Sequence, residues 1–173
     1  MLTIRPERPD DHAAIAEVVA AAFGSTVEAL LVERIRASDE YRAPLALVAD
    51  LDGAIVGHVM VSDTALHTPD GVRRISMLSP LAVAPDHQRD GIGGELLRTV
   101  CRLAGDAGEP LVVLEGSPLY YGRFGFEPSA TYGIDLPIPD WAPRAASQIL
   151  WLGEVDPTLT GRVVYTSAFD GLE

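Results

Sequence analysis

A cluster of glycines after residue 88 is the part of the sequence with the clearest potential for chemistry. Gly91, Gly93 and Gly94 follow an apolar run of strand length and precede apolar residues that recur at helical spacing. Because glycine has no Cβ, the backbone N–H groups of such a turn can approach a ligand closely. The unpaired N–H groups and the dipole of the following helix also attract phosphate. We therefore interpret residues 77–97 as a strand, a diphosphate-binding turn and a helix.

Two other phosphate-binding motifs fit this turn poorly. The P-loop ends in Gly-Lys-Ser/Thr, whereas the sequence contains no lysine. The dinucleotide fingerprint has a third glycine at the position that Leu96 occupies here, which weakens the interpretation as a nicotinamide-dependent Rossmann enzyme. An ordinary strand-to-helix turn, in which the glycines only permit close packing, is the structural alternative.

The aromatic segment 119–126 is the second stretch whose residues could do chemistry. It contains two adjacent tyrosines, Tyr120 and Tyr121, ahead of a Gly-Phe pair. A phenol, with a pKa of about 10, can protonate a departing thiolate or hold it by a hydrogen bond. The structural alternative is a cluster of aromatic rings that packs the end of the core.

Together the two segments resemble the motifs of the GCN5-related N-acetyltransferases. Residues 88–93 read Gln-x-x-Gly-x-Gly, similar to the Gln/Arg-x-x-Gly-x-Gly/Ala motif with which this family binds the pyrophosphate of acetyl-CoA. Residues 121–126 are similar to the family's Tyr-x-x-x-Gly-Phe segment, whose tyrosine lies near the cofactor sulfur. The resemblance implies that acetyl-CoA is the co-substrate and that Tyr121 is the general acid.

The same resemblance implies a set of cofactor-binding residues around the glycine turn. The end of the preceding strand would pair with the pantetheine arm, and one of its N–H groups would polarise the acetyl carbonyl. Ser117 would replace an asparagine that this sequence lacks before the aromatic segment. The implied cofactor-binding residues are Leu81, Ala82, Val83, Gln88, Arg89, Asp90, Gly91, Ile92, Gly93, Gly94 and Ser117.

The residue that accepts the proton of the amine is not matched by a family motif. Some relatives have a glutamate base on the fourth strand, where this sequence has Ser76 and Ser79. We predict Glu115, at the end of the fifth strand, as the first substitute. Further candidates are Glu28, Asp63 and His58, and the structural alternative for each of the four is an ordinary solvated or paired polar residue.

Two other types of reactive residue are predicted to be structural. Cys101 lies on the apolar stripe of the helix that follows the glycines, so we expect a buried and inert thiol. The four histidines do not have the spacing of metal ligands, and no metal site is predicted.

The order of the predicted elements agrees with the resemblance. A short strand, two amphipathic helices and a meander of three antiparallel strands precede the glycine turn, and Asp52-Gly53 marks one hairpin. Pro80 removes a ladder donor from the fourth strand, which is reasonable if the fourth and fifth strands splay apart there. We predict an α+β fold in one domain over residues 1–173, with a central mixed, mostly antiparallel sheet flanked by helices.

The sequence beyond residue 126 carries weaker patterns. Segments 131–136, 148–152 and 163–165 are predicted strands. We expect the Pro-rich, acidic chain between them to form a loop that closes over the acceptor side.

The composition of the chain limits which partners it can bind and where in the cell it is expected. The chain has 173 residues and a net charge of −12, and such an acidic protein is poorly suited to nucleic acid. No apolar run approaches the roughly 18 residues of a membrane span. Because no signal peptide is visible and a single cysteine cannot form an internal disulfide, the cytoplasm is the expected location. The resemblance also allows a homodimer.

The expected activity is transfer of an acetyl group from acetyl-CoA to a primary amine of a small molecule or peptide, by direct attack in a ternary complex. The alternative from another functional class is an acetyl-CoA-binding regulatory or structural module without turnover. The sequence does not define the acceptor, because specificity depends on loops and cleft-lining side chains.

Overall fold

The computed structural model describes residues 1–172. Its helices are α1 (His12–Phe23), α2 (Val27–Arg36), α3 (Ile92–Asp106) and the one-turn α4 (Pro118–Tyr121). Its strands are β1 (Leu2–Pro6), β2 (Ala46–Leu51), β3 (Ala54–Thr68), β4 (Gly71–Val83), β5 (Leu111–Glu115), β6 (Glu127–Pro128), β7 (Ile134–Asp135), β8 (Ser147–Trp151) and β9 (Gly161–Val164).

The strands form one mixed sheet. The order β1-β2-β3-β4-β5-β8-β6 runs across it, while β9 pairs with the far end of β3 and with β7. Pairing is parallel at β4–β5 and β7–β9 and antiparallel at the other pairs. The predicted α+β fold with a mixed, mostly antiparallel sheet is therefore confirmed.

The meander β2–β3–β4 forms where the turn residues predict it. Asp52 has φ of 51° and Gly53 has φ of 93° at the β2–β3 turn. A two-residue hairpin turn of type I′ needs positive φ at both positions, and Asp-Gly adopts this geometry readily. These long hairpins provide the strands on which the candidate site is built.

Strands β4 and β5 separate in the middle of the sheet. They pair only through Ser76 and Met77 of β4, although β4 continues to Val83. Pro80, which cannot donate a ladder hydrogen bond, lies in the part of β4 that β5 does not pair. The predicted splay is confirmed, and it leaves a gap in the sheet beside the end of β4.

Helices cover both faces of the sheet. Helix α3 packs its apolar stripe on one face, and Cys101 lies in that stripe at 7% exposure, as predicted. Helices α1 and α2 pack on the other face, where Ile15, Val19 and Ile35 are at most 1% exposed. Burying an aliphatic side chain of this size contributes about 1.5–3 kcal/mol. Both helix layers therefore stabilise the sheet that contains the gap.

The tail differs from the sequence prediction in one segment. Residues 131–136 do not form the predicted strand, because Ser129–Tyr132 is a 3₁₀ turn and only Ile134–Asp135 is extended. Gly133 has φ of 69° and interrupts the apolar alternation that indicated a strand. The other two predicted tail strands form as β8 and β9.

Two further findings concern residues 1–172 only. No helix there has the length and apolar character needed to cross a membrane. The same residues contain no group of three His, Cys, Asp or Glu side chains placed to hold a metal ion.

Candidate active site

The glycine turn forms an open helix N-terminus. The chain leaves β4 through the 3₁₀ turn Pro85–His87 and enters α3 from Gly91, the N-cap residue, which has φ of 85°. The N–H of Glu95 donates to the Gly91 carbonyl at 3.1 Å. Because this is the first bond of the helix, the N–H groups of residues 92–94 have no acceptor inside it. They are available to an anion placed on the helix axis.

Gln88 and Arg89 shape the loop before the helix. The Gln88 side-chain amide donates to the Val83 carbonyl at 3.0 Å, which ties the loop to the end of β4. Arg89 has φ of 67°, a conformation that is uncommon for a residue with a Cβ. The surrounding turn must hold the backbone in this conformation, since it costs on the order of 1–3 kcal/mol.

A cleft of about 630 Å³ opens beside this turn. Its walls come from the end of β4, from the first turns of α3 with the preceding loop, and from the aromatic segment around α4. The lining residues are Leu81, Val83, His87, Gln88, Arg89, Gly91, Gly93, Gly94, Arg98, Tyr120, Tyr121, Arg123 and Phe124.

Seven of the eleven residues predicted to bind the cofactor line this cleft. The side chains of Ala82 and Ile92 do not, because they are buried in the core at 3% and 6% exposure. Asp90 is exposed outside the lining. Ser117 also lies elsewhere, since its hydroxyl accepts a hydrogen bond from the Tyr120 N–H at 3.4 Å and caps α4.

Tyr121 borders the cleft from the end of α4. Its ring centroid lies 5.6 Å from that of Phe126 and 4.9 Å from that of Tyr120, both in edge-to-face geometry. Burial raises the pKa of the Tyr121 hydroxyl above its ordinary value of 10.0. The phenol therefore stays protonated at neutral pH, the form that a proton donor needs.

Tyr120 also reaches the cleft, a role that the sequence reasoning did not assign. A β-carbon built at position 93 would lie 2.6 Å from the Tyr120 hydroxyl, so this hydroxyl sits directly over the first turn of α3. Burial raises the pKa of Tyr120. The one-turn helix thus places two phenols at the cleft, one at the glycine turn and one further inside the core.

Arginine side chains give the mouth of the cleft positive charge. The Arg98 guanidinium lies 5.0 Å from the centroid of the Phe124 ring, and that of Arg123 lies 5.0 Å from the centroid of the Tyr120 ring. Cation–π contacts of this kind orient the guanidinium groups. Within the described residues no acidic side chain lines the cleft, although the chain carries a net charge of −12. The cleft therefore suits a ligand with several negative charges.

Glu115 lies on the other side of the sheet from Tyr121. Leu114 packs in the cluster beneath α3 that also contacts Tyr121, whereas Val113 packs in the cluster on the opposite face. Since successive side chains of a strand alternate between faces, Glu115 projects to the face of Val113. The two residues flank the end of β5, where β4 has already separated from it.

The Glu115 carboxylate has an environment suited to a base. The side chain is exposed to solvent at the end of β5, and its partial desolvation raises its pKa above the ordinary 4.5, while the hydroxyl of Tyr165 opposes that shift. The Tyr165 hydroxyl is buried and has no hydrogen-bond partner of acceptable geometry among the described residues. A carboxylate with a raised pKa accepts a proton more readily than an ordinary one.

A buried polar network lies on the face of α1 and α2. The Glu7 side chain, 1% exposed, accepts hydrogen bonds from Arg36 at 2.8 Å and Tyr41 at 2.9 Å, and lies 2.9 Å from Nε2 of His58. Burial alone would raise the pKa of Glu7, but the bonds from His58 and Arg36 outweigh it and hold that pKa below 4.5. Burial lowers the pKa of His58. Because His58 is the register partner of Ala82, this network supports β4 beside the cleft.

The remaining candidates for a base have different surroundings. His58 is fully buried in the network with Glu7. Asp63 forms ion pairs with Arg74 at 2.8 Å and with Arg42 at 3.6 Å. Glu28 is half-buried, and its Oε2 atom has no hydrogen-bond partner in the described chain. Asp63 and His58 are therefore held by other residues, whereas Glu28 is not.

Comparison with known families places this geometry in context. Residues 3–129 match the family model described as an acetyltransferase (GNAT) domain. The chain is 34% identical over 156 residues to the uncharacterized N-acetyltransferase YjhQ of Escherichia coli K12, covering 88% of this chain and 86% of that protein. It is 31% identical over 134 residues to the uncharacterized N-acetyltransferase YhbS of the same strain, covering 77% and 78%. The chain therefore belongs to the GNAT family of acetyltransferases.

Solved structures of similar proteins agree with this assignment. The crystal structure of Escherichia coli YhbS in complex with CoA matches with a TM-score of 0.86 at 27% identity, over 99% of this chain and 93% of that one. A GNAT acetyltransferase from Brucella melitensis in complex with acetyl-CoA matches with a TM-score of 0.80 at 32% identity, over 98% and 99%. The family, the fold and the acyltransferase class predicted from the sequence are confirmed.

Proposed function

We propose that this chain transfers the acetyl group of acetyl-CoA to a primary amine of a small molecule or peptide, by direct attack in a ternary complex. The observation that carries the proposal is that the glycine turn and Tyr121 border one cationic cleft beside the gap between β4 and β5. The two solved relatives with CoA and acetyl-CoA support acetyl-CoA as the co-substrate.

The cleft can hold each part of the co-substrate. The N–H groups of residues 92–94 would bind the pyrophosphate, and Arg98 and Arg123 would complement the phosphate charges. The pantetheine arm would lie along the unpaired edge of β4 from Leu81 to Val83, as an added strand would. A backbone N–H of that edge would polarise the thioester carbonyl.

Glu115 and Tyr121 are assigned complementary proton transfers. An alkylamine is mostly protonated at pH 7 and must lose a proton before it can attack. Glu115 accepts that proton, and the nitrogen then forms a bond to the acetyl carbon as the carbon–sulfur bond breaks. Tyr121 donates its hydroxyl proton to the departing thiolate, which carries the electron pair. The nitrogen loses its second proton as it becomes an amide, and that proton restores the Tyr121 hydroxyl. The positions of the two residues on opposite faces of the sheet, at the end of β5 and beside the gap, support this division.

A binding module without turnover is the second candidate function. It would use the same cleft for acetyl-CoA as a signal or an assembly factor. The placement of Tyr121 against the cleft favours chemistry over binding alone. A cytoplasmic location and a homodimer stay predictions.

Two measurements test the proposal. Calorimetric titration should show acetyl-CoA binding to the chain, and release of free thiol should follow when a panel of amines, polyamines, aminoglycosides and peptide N-termini is added. Binding without thiol release for any acceptor would favour the module. Absence of heat with acetyl-CoA would contradict both candidate functions.

A further inference from the structure

A second cavity, of about 490 Å³, reaches the start of α4 and shares no lining residue with the cationic cleft. One wall is the end of β5 and the start of α4, with Glu115 and Pro118. The other wall is the segment 139–146, with Pro139, Trp141 and Pro143. Among its lining residues in the described chain, Glu115 is the one that ionises. The cavity is thus an apolar slot with a single carboxylate.

The far wall of the slot is built before any ligand arrives. The N–H of Ala142 donates to the Pro139 carbonyl at 2.9 Å, and the N–H of Ala146 donates to the Pro143 carbonyl at 2.9 Å. Each proline fixes its own φ, so both turns lose little conformational freedom on binding. Trp141, within the first of these turns, is 85% exposed. The exposed indole of Trp141, on a segment fixed by these two turns, offers apolar surface that a ligand can cover.

The slot adjoins the place where acetyl transfer is proposed. The N–H of Gly116, which follows Glu115, donates to the Ala146 carbonyl at 2.9 Å and joins the two walls. The opposite side of Gly116 lies against the Tyr121 ring. An amine held by Glu115 would therefore lie at the end of β5, where the separation from β4 opens a path between the faces of the sheet.

We infer that this slot binds the acceptor and that the acceptor is a monoamine carried on an aromatic or aliphatic group. The inference rests on the proposed function. The ammonium pairs with Glu115, while the hydrocarbon packs against Trp141 and the two prolines. One carboxylate matches one ammonium. A polyamine would bind less well because its further cations would have no partner in the slot. An acidic substrate would be repelled by the charge of Glu115.

The test compares amines that share a primary amino group and differ in the size of the apolar group attached to it. 2-Phenylethylamine, ethanolamine and spermidine are assayed by thiol release with saturating acetyl-CoA. We expect kcat/KM for 2-phenylethylamine to exceed that for the other two by at least about tenfold. Trp141→Ala should raise its KM about tenfold and leave the KM for acetyl-CoA within about twofold. Val72→Ala, which shortens another exposed apolar side chain that does not line the slot, should change neither.

A calorimetric titration of 2-phenylethylamine in the presence of CoA separates this inference from the proposed function. Binding that Trp141→Ala weakens, without turnover of any amine, would support the slot and contradict the acetyl transfer. Turnover in which ethanolamine or spermidine equals 2-phenylethylamine, or in which Trp141→Ala has no effect, would overturn the slot and leave the transferase intact. Absence of both binding and turnover would overturn the inference as well.

Discussion

The ring of Tyr121 lies against the α-carbon of Gly116. A β-carbon at position 116 would come 2.5 Å from Cε2 and 2.9 Å from Cδ2 of that ring, closer than real contacts allow. The absence of a side chain at Gly116 is therefore what lets the phenol reach its position beside the cleft. The backbone at the end of β5 and the tyrosine at the end of α4 are fitted to each other, and this contact sets where the hydroxyl lies.

Gly116→Ala should consequently displace Tyr121 and lower kcat. A misplacement of about 1 Å in a reacting group can cost about 100-fold, so we expect a loss approaching that size with little change in the KM for acetyl-CoA. The measurement is steady-state thiol release. Gly122→Ala is the matched control, because no atom lies within 4 Å of its added β-carbon and its φ of −57° suits alanine. Equal kcat in both variants would contradict the role assigned to the contact.

Tyr121→Phe should lower kcat by about 10²- to 10⁴-fold, since it removes the proposed proton donor and keeps the ring. Burial holds the pKa of Tyr121 above 10.0, so its proton is present at every pH below that value. The pH profile of the variant should therefore keep the shape of the parent profile at a lower level. A profile that loses an alkaline limb below pH 9 in the variant would show that Tyr121 titrates earlier than its burial implies.

Gly93→Ala should weaken acetyl-CoA binding. The added methyl group would meet the Tyr120 hydroxyl at 2.6 Å and project into the cleft beside the helix N–H groups. Loss of one hydrogen bond to a charged phosphate is worth about 1.5–3 kcal/mol, which predicts at least a tenfold higher Kd by calorimetry. Gly105→Ala, in the same helix with its nearest neighbour at 3.7 Å, should bind normally. Equal affinities of the two variants for acetyl-CoA would contradict the assignment of the glycine turn as the phosphate-binding site.

The double variant Arg98→Gln, Arg123→Gln should raise the Kd of acetyl-CoA by tenfold or more, because it removes two charges from the mouth of the cleft. The affinity for acetyl-pantetheine, which has no nucleotide phosphates, should not change. Arg102→Gln provides the control, since Arg102 lies on the same helix and pairs with Asp106 at 3.7 Å. Equal losses for both ligands would mean that the arginines support the fold and not the phosphates.

The buried pair of His58 and Glu7 should make the protein less stable in acid. The pKa of each group is lowered by folding, so the unfolded chain takes up a proton at a higher pH than the native chain does. Stability should fall as the pH drops below about 6.5, where an ordinary histidine titrates, and further below about 4.5, where Glu7 would. The slope for one proton is at most about 1.4 kcal/mol per pH unit.

Urea unfolding at pH 7.5 and 5.5 checks this expectation. His58→Gln should show a smaller loss between the two pH values than the parent chain. His67→Gln changes an exposed histidine on the same strand and should leave the loss unchanged. Parallel losses in all three proteins would assign the acid sensitivity to other groups.

The parts of the site that are local in sequence could be predicted, and those that depend on distant contacts could not. The glycine turn and Tyr121 could be predicted because the residue spacing within each short segment is enough to indicate the start of α3 and the one-turn helix α4. The Arg98 guanidinium meets the Phe124 ring only because the 3₁₀ turn Gly122–Phe124, which follows α4, packs against α3. Glu7 and His58 are 51 positions apart, and no pattern in either segment marks the other.

The error in the tail has a similar origin. Residues 131–136 alternate in polarity as a strand would, but Gly133 adopts a left-handed conformation and its carbonyl accepts the Gly161 N–H at 2.9 Å. Tertiary pairing with β9 therefore decides this segment, not its local pattern. For the slot beside Glu115, the sequence predicts only a loop on the acceptor side. The two walls of the slot are distant in sequence and meet through the hydrogen bond between Gly116 and Ala146, which no local pattern indicates.

The arginines at the mouth of the cleft, in a chain that is acidic overall, also affect the rate at which a nucleotide associates. A nucleotide approaching from bulk solvent meets a net charge of −12 on the whole chain, which repels it, and the arginines at the mouth of the cleft, which attract it. At an ionic strength of about 0.1 M this field reaches about 10 Å, so the selection acts just before encounter. We therefore expect that encounters in which the phosphates lead into the cleft are favoured over encounters in other orientations.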